Sequence, residues 1–144
     1  MDYEVIFSNM PLYIEGLWVT IQLVFFALVL GFLFALPIAL LATSRHPWIR
    51  LLPKSYIYFF RGTPLLVQMF MIYHGMGQFE LVRESVIWIV FKEAYWCALI
   101  AFALNTAGYT AEILRGTIEQ TPYGEIEAAR ALSLIHISEP TRPY

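Results

Sequence analysis

Charge is what this chain has least of. Only 14% of its 144 residues are Asp, Glu, Lys or Arg, against roughly 25% in soluble domains. The net charge of −2 offers no basic surface for nucleic acid. The single cysteine, Cys97, lies inside an apolar run. It can form no internal disulfide and reads as a small packing residue. The three histidines, His46, His74 and His136, stand apart. No Cys/His cluster has the spacing of metal ligands, and no cofactor is implied. There is no G-x-x-x-x-G-K-[ST] loop to cradle a nucleotide phosphate. Paired His/Asp/Glu motifs and a serine elbow are also missing, which argues against an enzyme embedded in the membrane. Residues 1–15 carry Asp2, Glu4 and Glu15 and no basic residue. A secretory signal needs a basic start, so the apolar run that follows is expected to be retained.

What fills the chain instead is hydrocarbon. Hydrophobic residues make up 59% and the mean hydropathy is +0.62, so the expected fold is an all-α integral membrane protein. Leu17–Ala42 is free of charge. As a helix it would measure roughly 39 Å, enough to cross a core about 30 Å thick. Ala27, Gly31, Ala35 and Ala39 recur every fourth residue along it, a stripe that lets another helix approach closely. Pro37 is expected to kink it. A second helix is expected near 56–79, with a break or bend at Arg61–Pro64, and a third near 94–115. Asn105, Gly108, Glu112 and Arg115 share a face of the third with Ala101. Asn105 is the deepest polar group of that face. It suits either a solute pathway or a hydrogen bond between helices. Glu112 and Arg115 can pair, and Arg115 would then cancel any attraction of Glu112 for a cationic solute. Arg61 is either an interfacial anchor or part of a gate or subunit interface.

Loop charge sets an orientation. Residues 43–61 hold Arg45, Arg50, Lys54 and Arg61 and no acid, which reads as a cytoplasmic loop with the acidic N-terminus outside. Residues 79–93 then form an outer loop with an interfacial segment, and 117–132 falls in the cytoplasm. There Thr121 can cap a helix and Pro122 suits its first turn. Glu125 and Glu127 fall near the positive end of its dipole. Glu127 and Arg130 can pair on one side while Ile126, Ala129 and Leu132 line another. A short, alanine-faced helix of this kind can slot into a groove on a soluble partner.

Three motifs carry a family resemblance, which spans most of Met1–Leu132. Glu127-Ala128-Ala129 resembles the EAA signature of binding-protein-dependent ABC importer permeases. Arg61-Gly62-Thr63-Pro64-Leu65-Leu66-Val67-Gln68 and Ala111-Glu112-Ile113-Leu114-Arg115-Gly116 resemble two signatures of the polar amino acid branch. The whole chain is most similar to the M-type subunits of basic amino acid or opine importers. The resemblance implies a five-helix permease subunit of a bacterial inner membrane, of which this chain holds the first three helices. It implies a second permease subunit, two cytoplasmic ATPase subunits that perform the hydrolysis, and an extracytoplasmic binding protein. It implies that Tyr123, Gly124, Glu127, Ala128, Ala129 and Leu132 form the loop that docks on the ATPase. Arg61, Gly62, Thr63, Pro64, Gln68, Glu112, Arg115 and Gly116 would then shape a gate or interface, with Asn105 and Gly108 as pathway or helix contacts.

The family pattern expects glycine at position 133, where this chain has Ser133. Residues 133–144 change character, and the expectation is that they are a foreign, adapter-derived tail on a fragment covering 1–132. Two functional readings follow. One is a permease subunit that translocates polar, basic amino acids. The other is a membrane scaffold or inactive fragment, for which the small-residue stripe would suffice but an alanine-faced cytoplasmic helix would have no use.

Overall fold

The structure is a computed structural model that describes residues 7–122, 124–125 and 127–128. Two long helices carry it. Helix α1 spans Met10–Ala42 and helix α6 spans Ala94–Gln120. Both are long and apolar enough to cross a membrane. Between them lie α2 (Pro47–Gly62), α3 (Leu65–Phe70), a π turn (Met71–Gly75), a 3₁₀ turn (Met76–Gln78), and the short helices α4 (Glu80–Arg83) and α5 (Trp88–Phe91).

The packing of α1 on α6 rests on small side chains. Ala27, Gly31, Ala35, Ala39 and Ala42 are the buried residues of α1. Ala101, Ala103, Ala107, Gly108 and Ala111 are buried on α6 beside Cys97 and Leu99. Ala35, Ala107 and Ala111 are 0% exposed, yet no large side chain among the described residues is fully buried. This inverts the pattern of a soluble core. Phe25, Phe32 and Leu33 point outward instead, as expected where lipid tails are as apolar as leucine and close backbone approach supplies the attraction. Gly31 lies beside Ala103 and Thr106, and Ala39 and Ala42 share a cluster with Ala111. Residue numbers rise together, so α1 and α6 run parallel. A parallel pair requires residues 43–93 to bring the chain back to the side where α1 began.

That return differs from expectation in four ways. First, α1 starts at Met10 rather than Leu17, with Pro11 in its first turn, where a missing N–H costs nothing. The helix continues through Pro37. Second, residues 43–61 are mostly helix and not loop. Pro47 opens α2, and Pro53 and Ile57, four apart, bury one face of it; the basic residues mark its other side. Third, the helix expected near 56–79 is not one helix. It breaks at Thr63, where φ is −109° and ψ is 138°, because the Pro64 ring excludes the helical region for the residue before it. The piece from Leu65 to Gln78 widens and then tightens around Gly75 and Gly77. It would measure only about 21 Å as regular helix. Fourth, α6 runs on to Gln120 rather than ending at 115, so the segment expected as a loop from 117 begins as helix. The expected boundary at Leu132 and the tail 133–144 lie outside the described residues.

The close approach is testable at Gly31. A Cβ there would lie 2.7 Å from the Cβ and Cγ2 of Thr106 and 3.2 Å from the Ala103 carbonyl oxygen. Gly31→Leu should force the helices apart at a cost of about 1–3 kcal/mol or more. Gly16 has nothing within 4 Å of its virtual Cβ, so Gly16→Ala should leave stability equal or slightly raised. Thermal unfolding in detergent compares the two; an unchanged midpoint for Gly31→Leu would refute the interface.

Candidate functional site

The site is built on the helix break. Pro64 brings no N–H and holds Thr63 extended, so the last carbonyls of α2 lose their helical partners. Thr63 answers one of these locally, donating its N–H and its hydroxyl to the Phe59 carbonyl at 3.1 and 2.8 Å. Gln68 answers the rest. Its amide Nε2 donates to the carbonyls of Phe60 and Thr63 at 2.9 and 3.0 Å, and to the Thr63 hydroxyl oxygen at 2.7 Å. Gln68 is 3% exposed, the most buried polar side chain among the described residues. Its own carbonyl oxygen accepts from Asn105 Nδ2 on α6 at 3.2 Å, and the same Nδ2 lies 3.4 Å from the Phe60 carbonyl. The motif at 61–68 is thus a clamp that closes the break and fastens it to α6.

Two further contacts hold α2 against α6. The Tyr56 hydroxyl donates to the Leu104 carbonyl at 2.7 Å. Gly108 lets Phe60 approach, since a Cβ at 108 would lie 3.0 Å from that of Phe60. One turn further along α6, the charged residues meet. Arg115 grips Glu112 with Nε and Nη2 at 2.8 and 2.7 Å and gives its remaining arm to Glu119. Arg61 Nη1 lies 3.4 Å from Glu112 Oε1, with its guanidinium 5.7 Å from the centre of the Tyr109 ring. Two carboxylates and two guanidinium groups leave this cluster neutral. It is partly exposed, so it contributes little to stability. Its effect is orientation, because a bidentate pair allows one geometry.

The residues singled out from sequence therefore divide. Arg61, Thr63, Pro64, Gln68, Asn105, Gly108, Glu112 and Arg115 come together where α2, α3 and α6 meet. Gly62 ends α2 with open space beside it, and Gly116 lies on α6 with only the Gln120 side chain near. Asn105 works as a contact between helices. It also lines an open, mostly apolar pocket of about 230 Å3 with Val24, Ala27, Leu28, Leu65, Phe102 and Thr106. Beyond α6, Thr121 does not cap forward as expected; its hydroxyl turns back to the Thr117 carbonyl at 2.9 Å. Gly124, Glu125, Glu127 and Ala128 are helical and exposed, and the Glu125 N–H donates to the Pro122 carbonyl at 3.1 Å. Tyr123, Ala129 and Leu132, and the expected Glu127–Arg130 pair, lie outside the described residues.

Sequence reading missed Tyr56 and Glu119 as parts of the site. Glu119 was visible as the i+4 partner of Arg115. Tyr56 was not, because its partner is 48 residues away and only the packing joins them.

The clamp makes a graded expectation. Gln68→Leu keeps the bulk but strands the Phe60 and Thr63 carbonyls, so it should lower stability by roughly 1–3 kcal/mol. Asn105→Ala removes one donor and leaves the break closed, so its effect should be smaller. Unfolding of both variants in detergent checks the order, and equal losses would mean that the break is satisfied in another way.

Comparison with known proteins agrees with this arrangement. Residues 27–137 match the family model described as binding-protein-dependent transport system inner membrane component. The octopine transport system permease protein of Rhizobium radiobacter is 49% identical over 121 residues, covering 84% of this chain and 49% of that protein. The nopaline transport system permease protein of Agrobacterium fabrum is 43% identical over 135 residues, 93% of this chain and 56% of that protein. The histidine/lysine/arginine/ornithine transport system permease protein of Salmonella typhimurium is 39% identical over 117 residues, 81% of this chain and 50% of that protein. The chain thus spans about half the length of the curated relatives it matches. A crystal structure of an amino acid ABC transporter with histidines superposes with a TM-score of 0.76 at 38% identity, over 92% of this chain and 57% of that one. An all-helical chain with two membrane-length helices, its sequence motifs gathered on one helix break, belongs to the family of binding-protein-dependent transport system inner membrane components.

Proposed function

We propose that this chain supplies the first membrane helices of an amino acid importer permease subunit. The solute is a polar, basic amino acid or an opine, in keeping with the names of the relatives. The subunit pairs with a second permease subunit, receives solute from an extracytoplasmic binding protein, and is driven by two separate cytoplasmic ATPase subunits. Import proceeds by alternating access, with solute and nucleotide favouring different states of one assembly.

The observation that carries this reading is the exit of α6. The helix continues to Gln120, nine residues beyond Ala111, the last residue it contributes to the buried cluster with Ala42. It leads into a second helical stretch whose Glu125, Glu127 and Ala128 are exposed. A protruding, alanine-bearing helical segment at the end of a membrane helix is suited to enter a groove on a soluble motor. The parallel run of α1 and α6 supports an orientation with the N-terminus outside, because both C-terminal ends then share the side where Arg45, Arg50 and Lys54 cluster. The Gln68 clamp and the Arg61–Glu112–Arg115 cluster would carry motion at the docking segment into the helix break.

The test is Glu127→Lys in the assembled transporter. Inverting the charge on the docking edge should leave membrane insertion intact and lower ATP-driven uptake by at least about tenfold. Glu127→Gln should fall between this variant and the parent. Uptake at the parental rate with Glu127→Lys would remove Glu127 from the docking edge.

A further inference from the structure

Helix α2 has a second face that neither the clamp nor the docking segment uses. Arg50, Lys54 and Arg61 stand at positions i, i+4 and i+11, which places them within an arc of about 40° on one side of the helix. Between α2 and α6 this stripe borders a pocket of about 230 Å3 lined by Lys54, Ile57, Tyr58, Arg61, Glu112 and Arg115. The carboxylates nearby are committed. Both oxygens of Glu112 bind Arg115, and Glu119 takes the remaining arm of that arginine. Arg61 shares Glu112 at the longer distance of 3.4 Å. Arg45, Arg50 and Lys54 have no ion-pair partner among the described residues. Positive charge is therefore in excess here, in a chain whose net charge is −2.

The same helix exposes large apolar side chains beside those cations. Trp48, Leu52 and Tyr58 are 84%, 78% and 83% exposed. Only four residues separate Ala42, the end of the membrane-length α1, from Pro47, the start of α2. Cations next to exposed rings and leucines, at the level where a membrane helix ends, match a molecule with a charged head above an apolar tail. An acidic protein surface would engage the cations and leave Trp48 and Leu52 in water.

We propose that Lys54 and Arg61, with Arg50 along the same stripe, form a binding site for the phosphate headgroup of an anionic phospholipid. Trp48, Leu52 and Tyr58 lie against its acyl and glycerol region. The placement in the cytoplasmic leaflet rests on the orientation given above; the lipid preference itself does not. Such a lipid would hold α2 at the interface and so steady the break at Thr63–Pro64.

The test uses the full chain in mild detergent, with phosphatidylglycerol and phosphatidylcholine of identical acyl chains, and reads retained lipid by native mass spectrometry. Phosphatidylglycerol should be preferred, and the preference should fall about fivefold for each cation removed in Arg50→Gln and Lys54→Gln. Lys54→Arg should keep it. Far-UV circular dichroism confirms that helix content is unchanged in each variant. Equal retention of the two lipids, or an undiminished preference in the Arg50→Gln/Lys54→Gln double variant, overturns the proposal. Displacement of the lipid by inorganic phosphate or by polyglutamate at matched concentration also overturns it, in favour of a free anion or an acidic protein. Thiol labelling of Ser44→Cys in intact cells reports the side separately. Labelling from outside would overturn the leaflet assignment and leave the preference measured in detergent as it stands.

Discussion

The contact on which the rest of the structure depends is the face of alanine and glycine shared by α1 and α6. A lipid solvent gives no hydrophobic reward for bringing two apolar helices together, so attraction must come from close backbone approach. Gly31 against Thr106 and the cluster of Ala35, Ala39, Ala42 and Ala111 supply it. Ile57 of α2 packs into the same cluster. The helix that carries the Arg61–Gln68 motif is therefore positioned by residues that are not in the motif.

A helix break so close to membrane-spanning helices is costly unless the carbonyls it frees are bonded within the protein. Gln68 resolves this with one side chain. Its amide closes the carbonyls of Phe60 and Thr63 while its oxygen takes the Asn105 amide. Local backbone satisfaction and tertiary attachment become the same event: if the break opens, α3 also loses its hold on α6. That coupling gives the motif at 61–68 a physical reason. Its proline makes the break, its threonine closes one carbonyl, and its glutamine closes the others. The arginine reaches across to Glu112, at the level where α6 leaves the packed bundle.

Much of this was legible in the residue order. The small-residue stripe at 27, 31, 35 and 39 named the buried face of α1, because a period of four on a charge-free helix has few other uses. The break near Pro64 followed from the steric effect of proline on the residue before it. The Glu112–Arg115 pair followed from a spacing of three. The helical nature of 47–62 was hidden, because its basic residues were read as loop composition rather than as one side of a helix. The full length of α6 was hidden as well. Glu112, Arg115 and Glu119 end the apolar run, yet they pair along the helix and prolong it.

By itself the sequence determined the class of the protein, an all-helical membrane component, because hydrocarbon content, charge scarcity and the three motifs are properties of local order. It also determined which residues could bond, since donors, acceptors and prolines are legible one by one. Only the tertiary structure decided which of them do. Tyr56 meets Leu104 across 48 positions, and Asn105 meets Gln68 across 37. No periodicity encodes such separations. They arise because small residues let α2, α3 and α6 come within hydrogen-bond reach, and the short range of a hydrogen bond then selects the partner.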